Sequence, residues 1–276
     1  MKSRPVAVLD SGIGGLPYLS WLQEHLPQES LIYVADHANF PYGEKSPDQV
    51  REFVVDLGRG LVDRYDPKLL LVACNTASVL ALDALRSALS IPVVGVVPAV
   101  KTAVGIGKGT VAVLATPRTV EDGYWENLAR EFGSHRVVKG YAAPDLVTMV
   151  EEGAPDPERR ARLTSWAQRL RADGADVVVL GCTHYLHIAE DLGRELGSSV
   201  TVVDSRDGVG RQVARVLRDR SLVSTGRQES DRLVFTIDPL RHTENLGELE
   251  ARYRTWAQRF DLEYAGPWAV AGAKVR

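Results

Sequence analysis

Two side chains of this 276-residue chain stand out as tunable acid–base groups: Cys74 and Cys182, its only cysteines. Each follows an apolar run and a small residue and precedes a polar pair, LLLVACNTAS at 69–78 and VVVLGCTHYL at 177–186. A thiol ordinarily titrates near pH 8.5, and a helix N-terminus lowers that value. Paired thiols suit three chemistries. A redox pair would carry a recognisable motif such as CxxC, which is absent. A metal could take Cys74, Cys182 and His184, with Asp10 as a further ligand. The third is proton transfer on both faces of one carbon. One thiolate removes a proton, the opposite thiol donates one, and the carbon is inverted.

The elements around the thiols are legible. VAVL (6–9), LIYVA (31–35), LLLVA (69–73), VVGVV (93–97), VAVLA (111–115), VVKGY (137–141), VVVLG (177–181) and VTVVD (200–204) read as buried parallel strands, being short and mainly apolar. Amphipathic stretches such as DQVREFVVDLGRGLVDRY alternate with them, the α/β signature. The pattern also repeats. VAVLD at 6–10 recurs as VAVLA at 111–115, the cysteine segments match, and VVGVV matches VTVVD, at offsets of 105, 108 and 107 residues. The expected fold is therefore two pseudo-symmetric α/β domains with parallel sheets flanked by helices. The first would span 1–98 plus 208–276, and the second 99–207. The tail, with a strand at LVFTI (233–237) and a helix at 244–260, should pack back on the first domain. A twofold between the halves would bring the thiols face to face, with the active site in the cleft between domains.

Ligands of open α/β sheets sit at the carboxyl ends of the strands, and the polar clusters fall there. Asp10-Ser11 ends the first strand and leads into GIGG and Pro17. GIGG is not a dinucleotide fingerprint, since Pro17 stands where the third Gly would be. It is either a tight turn or a loop of N–H groups fit for an anion. Phe40-Pro41-Tyr42-Gly43 follows the second strand as a turn or a ligand wall, and Ser46-Pro47-Asp48-Gln49 reads as a helix N-cap. The halves differ informatively. Asp10 aligns with Ala115 and His184 with Thr76, so each cysteine has its own assistant, Asp10 for Cys74 and His184 for Cys182.

Composition excludes several classes. With 45% hydrophobic and 25% charged residues and a net charge of −3, the chain has material for one or two cores. Arginine far outnumbers lysine, but the arginines are scattered among acidic residues rather than clustered, so no nucleic-acid partner is expected. No run approaches a membrane span, and the first apolar run is too short for an export signal. A cytoplasmic address with reduced thiols is expected.

The motifs DSGIGG (10–15), PYGEKS (41–46), ACNTAS (73–78), VVGVVPAVKTA (93–103), VEEG (150–153), LGCTHY (180–185) and VDS (203–205) together resemble those of glutamate racemases, in the same order and over nearly the whole chain. These are the cofactor-independent enzymes of the aspartate/glutamate racemase superfamily. The resemblance implies interconversion of L- and D-glutamate, supply of D-glutamate to peptidoglycan synthesis and hence cell-wall biogenesis and cell shape, no PLP, metal or nucleotide cofactor, and a homodimer. It implies Cys74 and Cys182 as the proton donor/acceptor pair, with Cys74 acting on the D form. Asp10, Ser11, Pro41, Tyr42, Gly43, Asn75, Thr76, Thr183 and His184 would bind substrate, and Glu151 would assist, with Glu152 as the competing choice. The chain departs from the usual wording at ADHAN (35–39) and at Leu186-His187. Alternatives are a sister racemase acting on aspartate or a hydantoin, a Cys/His metal-dependent hydrolase, and a two-lobed binding protein without turnover.

Overall fold

The computed structural model describes residues 4–106, 108–132, 136–240 and 246–270. In chain order, the first stretch holds β1 (Val6–Asp10), α1 (Leu16–His25), β2 (Leu31–Ala35), α2 (Pro47–Tyr65), β3 (Leu69–Val72), α3 (Asn75–Ala88) and β4 (Val93–Gly95). Next come α4 (Val100–Ile106), β5 (Thr110–Ala115), α5 (Pro117–Glu121), α6 (Tyr124–Phe132), β6 (Val138–Ala142), α7 (Pro144–Glu152), α8 (Asp156–Ala172), β7 (Ala175–Leu180), α9 (Ala189–Leu196) and β8 (Thr201–Val203). The tail adds α10 (Arg206–Asp219), β9 (Arg232–Ile237), α11 (Leu246–Arg259) and β10 (Glu263–Ala269). The chain divides into two compact units, one of residues 1–96 and 206–276, the other of 97–205.

The first unit carries a sheet of order β10-β9-β2-β1-β3-β4, and the second one of order β6-β5-β7-β8. Every strand pairing in both is parallel. The order β2-β1-β3-β4 thus recurs as β6-β5-β7-β8, and the repeat read in the sequence is a repeat of strand order. Strands β1, β2 and β3 are buried at every position, as expected of parallel strands covered on both faces. Leu9, Val34, Leu70, Val54, Leu61 and Leu85 pack into the core of the first unit, and Val111, Val113, Val177, Val179 and Val100 into that of the second.

Local signals set several boundaries. α2 begins with a full capping box, the Ser46 hydroxyl accepting from the Gln49 N–H and Gln49 Oε1 accepting from the Ser46 N–H. β4 ends at Gly95, two residues short of the apolar run VVGVV, because the Val96 N–H donates to Ser78 Oγ (3.0 Å) rather than to a ladder. The expected tail helix at 244–260 is seen from Leu246; its first two residues lie outside the described ones. β9 pairs with β2, Ala35 opposite Phe235, which brings the tail to the carboxyl end of β2. Among the described residues, no helix is long and apolar enough to cross a membrane.

Candidate active site

The first half-site forms at the carboxyl ends of β1, β2 and β3. Asp10 closes β1, fully buried, and its Oδ1 accepts from the Ser11 N–H (2.6 Å) and the Ser11 hydroxyl (3.2 Å). The buried Cys74 thiol donates to Ser11 Oγ at 4.0 Å. A path therefore runs from thiol to hydroxyl to carboxylate, and Asp10 reaches Cys74 through Ser11. Cys74 sits at the N-cap of α3 in extended conformation. Gly15 makes this proximity possible. A Cβ there would stand 2.7 Å from Ala73 Cβ and 3.1 Å from Asp10 Oδ2. The GIGG segment is a tight turn more than an anion loop. Tyr33 pins it, donating to Gly12 O (2.8 Å) and accepting from the Gly15 N–H (3.1 Å), while the Leu16 N–H donates to Ile13 O.

The loop after β2 makes a 3₁₀ turn (His37–Asn39), a cis Phe40–Pro41 peptide and a second 3₁₀ turn (Tyr42–Glu44). Pro41 and Gly43 are half-buried around a buried Tyr42. Burial first, then the neighbouring Asp36 carboxyl, with Cys74 and Asp10 contributing, hold the Tyr42 phenol well above its ordinary value, so it stays neutral. Asn75 and Thr76 open α3, both buried. Neither amide atom of Asn75 has a hydrogen-bond partner among the described residues. An orphaned buried amide costs about 1–3 kcal/mol, and a bound polar ligand would remove that cost.

The second half-site lies in the other unit. β7 runs into Gly181 and Cys182, and Cys182 caps a 3₁₀ helix (Thr183–Ile188). The 3₁₀ helix leads directly into α9. A Cβ at Gly181 would lie 2.8 Å from Leu114 O, so glycine lets β7 pass close to β5 just before the thiol. Cys182 Sγ lies 3.9 Å from His184 Nδ1, and His184 Nε2 is 2.8 Å from Glu151 Oε2 on α7. Both His184 and Glu151 are buried, whereas Glu152 is exposed, so Glu151 is the carboxylate that points inward. Burial opposes a charge on His184, yet the Cys182 thiol and the Glu151 carboxylate outweigh it and hold the imidazole well above its usual range. Thr183 is buried beside them. Tyr185 is buried on the 3₁₀ helix that follows Cys182. Burial, then Cys182 and Asp145, push its phenol well above the ordinary value, and its hydroxyl lies 2.7 Å from Ala143 O.

Each thiol thus heads a buried chain that ends on a carboxylate, through a hydroxyl in one half and an imidazole in the other. Neither cysteine is in a disulfide. Among the described residues, no three His, Cys, Asp or Glu groups gather as a metal ion would require. Asp36, one residue past the end of β2 and fully buried, gives little signal in the sequence beyond being an acidic residue at a strand end.

The sequence pattern of the Asp/Glu/Hydantoin racemase family matches residues 18–208. A glutamate racemase of Shewanella denitrificans is 40% identical over 222 residues, 80% of each chain. The chain belongs to the Asp/Glu/hydantoin racemase family. It is an enzyme, an amino-acid racemase akin to the glutamate racemases. A glutamate racemase isoform of Bacillus anthracis superposes with a TM-score of 0.80 at 29% identity, covering 98% of both chains. The Escherichia coli glutamate racemase, solved with L-glutamate and the activator UDP-MurNAc-Ala, gives 0.80 at 30% identity, covering 98% of this chain and all of that one. Of the racemase's departures from family wording, Leu186 lies buried inside the 3₁₀ helix after Cys182, and 35–39 runs from the end of β2 through the 3₁₀ turn before the cis peptide.

Proposed function

We propose that this racemase interconverts L- and D-glutamate by a two-base proton transfer at Cα, without an organic cofactor. The observation that carries the reading is the pair of buried thiol-to-carboxylate chains, Cys74–Ser11–Asp10 and Cys182–His184–Glu151, at matching strand ends of a repeated sheet. Glutamate as substrate is supported by the curated relatives and by the related enzyme solved with L-glutamate.

In this account Cys74, as thiolate, takes the α-proton of D-glutamate, and the Cys182 thiol delivers a proton to the opposite face. The roles exchange for L-glutamate. The reading requires both half-sites to meet on one substrate. An amino-acid α-proton is very weakly acidic, so the developing carbanion needs preorganised donors. Asn75, Ser11, Thr76 and Thr183 are candidates, Asn75 foremost because its amide is unpartnered. His184, 3.9 Å from the Cys182 sulfur, is placed to hand a proton to and from that thiol, and Glu151 holds the imidazole in place. Tyr42 and Tyr185, kept neutral, line the thiols without competing for the proton. Supply of D-glutamate to peptidoglycan synthesis and a homodimer accompany this reading from the family resemblance, together with the cytoplasmic setting expected above.

The test offers the purified protein L-glutamate, D-glutamate, L-aspartate and a hydantoin with EDTA present, and follows optical rotation by circular dichroism. Loss of optical activity with both glutamate enantiomers alone is the expected result. Turnover of aspartate or hydantoin instead moves the substrate assignment to a sister enzyme. No turnover with any of them overturns the reading.

A further inference from the structure

Asp36 and Thr236 take no part in the chemistry above, yet Asp36 is a buried carboxylate held by three side chains. Asp36 Oδ1 accepts from the Thr236 hydroxyl at 2.6 Å. Asp36 Oδ2 accepts from the Tyr42 hydroxyl and from Asn39 Nδ2 at 2.9 Å. Thr236 also accepts from the Ala38 N–H at 3.1 Å. Asp36, Tyr42 and Thr236 are all buried, at 1% exposure or less. Thr236 belongs to β9, two hundred residues along the chain from Asp36, and the β2–β9 pairing is what brings it there. Three segments thus converge on one carboxyl group: the end of β2, the loop bearing Tyr42, and the tail.

Tyr42 packs in the same core cluster as Cys74. The titratable groups facing Cys74 from neighbouring elements include Asp10 at the end of β1 and Tyr42 in the loop after β2, with Asp36 directly behind Tyr42. With its proton committed to Asp36, the Tyr42 hydroxyl can present only lone pairs elsewhere, and its ring is fixed against the thiol's surroundings. Burial raises the Asp36 carboxyl above the usual range, while Thr236, Tyr42 and Asn39 pull it back down; the hydroxyl donors therefore decide how much negative charge stands behind Tyr42.

We propose that Thr236 and Asp36 are positioning residues for the Cys74 half of the reaction, a relay Thr236–Asp36–Tyr42 by which the C-terminal tail sets the placement of Tyr42 and the electrostatic setting of Cys74. The proposal rests on Cys74 being a proton-transfer group. It assigns the tail a part in catalysis, where the repeat alone accounts for both thiols without it.

The experiment compares Thr236→Val, which keeps the shape and removes the hydroxyl, with Thr236→Ser, which keeps the hydroxyl. kcat and KM are measured for both glutamate enantiomers on folded protein. The pH profile of Cys74 alkylation by iodoacetamide is measured in a Cys182→Ala background, where Cys74 is the only thiol. Thr236→Val should lower kcat about tenfold with a smaller change in KM, the size of one lost buried hydrogen bond. Its alkylation midpoint should move by about half a pH unit or more, and Thr236→Ser should restore both. An unchanged kcat and alkylation midpoint in folded Thr236→Val overturns the proposal, as does a loss that tracks only the fraction folded. If the parent protein does not racemise glutamate, the proposed function falls, while the alkylation profiles still decide whether the relay sets Cys74.

Discussion

His184 sits between a thiol and a carboxylate, and replacing it separates the two. His184→Asn should lower kcat by about 10²-fold or more, in the range of a general acid–base group. Glu151→Gln, which leaves the imidazole in place but weakens its anchor, should cost less, and Glu152→Gln should stay near the parent because that side chain is exposed. Steady-state kinetics on the three variants checks this ranking; equal losses for the two glutamates would contradict it. His184 also predicts a pH dependence of stability. Its folded pKa is raised above the unfolded value near 6.5, so the folded state binds the proton more tightly. The stabilisation from the charged imidazole is complete below about pH 6 and fades as pH rises through the raised folded value. Urea unfolding of the parent and His184→Asn should therefore differ most on the acid side, with the gap closing toward alkaline pH. At this scale the sequence named both thiols, Asp10, Ser11 and His184, because reactive residue types beside strand ends are visible in one dimension. It left Glu151 and Glu152 undecided, since two adjacent acids on a helix differ only in which way they face. Thr236 carried no signal, because its role comes from a pairing between segments far apart in the chain.

At the scale of elements, glycine and strand spacing hold the thiols in place. Gly181→Ala would push a methyl group to 2.8 Å from the Leu114 carbonyl, a backbone atom that cannot turn away. The variant should lose about 1–3 kcal/mol of stability by denaturant unfolding and lower kcat as well, since Cys182 follows directly. A fully stable Gly181→Ala would mean β5 and β7 can separate at no cost. Ser46→Ala removes the hydroxyl half of the α2 capping box and should cost about 1 kcal/mol with little effect on kcat per folded molecule. Most strands were legible because those covered on both faces are written as unbroken apolar runs, and the half-repeat because β1, β3 and β4 recur in order; β6 and β8, expected to be buried, instead lie largely half-exposed or exposed at the edges of their sheet. β10 was not legible. Its sequence EYAGPWA contains Gly266 and Pro267, it carries a register shift between Tyr264 and Pro267, and it runs along the sheet edge half-exposed, so it shows neither a run nor an alternation.

At the scale of the whole molecule, a symmetric sheet order carries asymmetric assistants, a hydroxyl and carboxylate for one thiol and an imidazole and carboxylate for the other. Enantiomers of free glutamate have an equilibrium constant of one, so kcat/KM must be equal in the two directions whatever the assistants do. The asymmetry can appear only in kcat and KM taken separately, and in how each thiol handles the proton. The central claim, that two different thiols act on opposite faces of one carbon, is tested most directly by running the reaction in D₂O from each enantiomer and reading deuterium at Cα of both enantiomers at early conversion. The account predicts a product that is fully deuterated and remaining substrate that is still protiated, from either side. Product that keeps the original proton, or substrate that gains deuterium as fast as product forms, would show one base serving both faces and would contradict it.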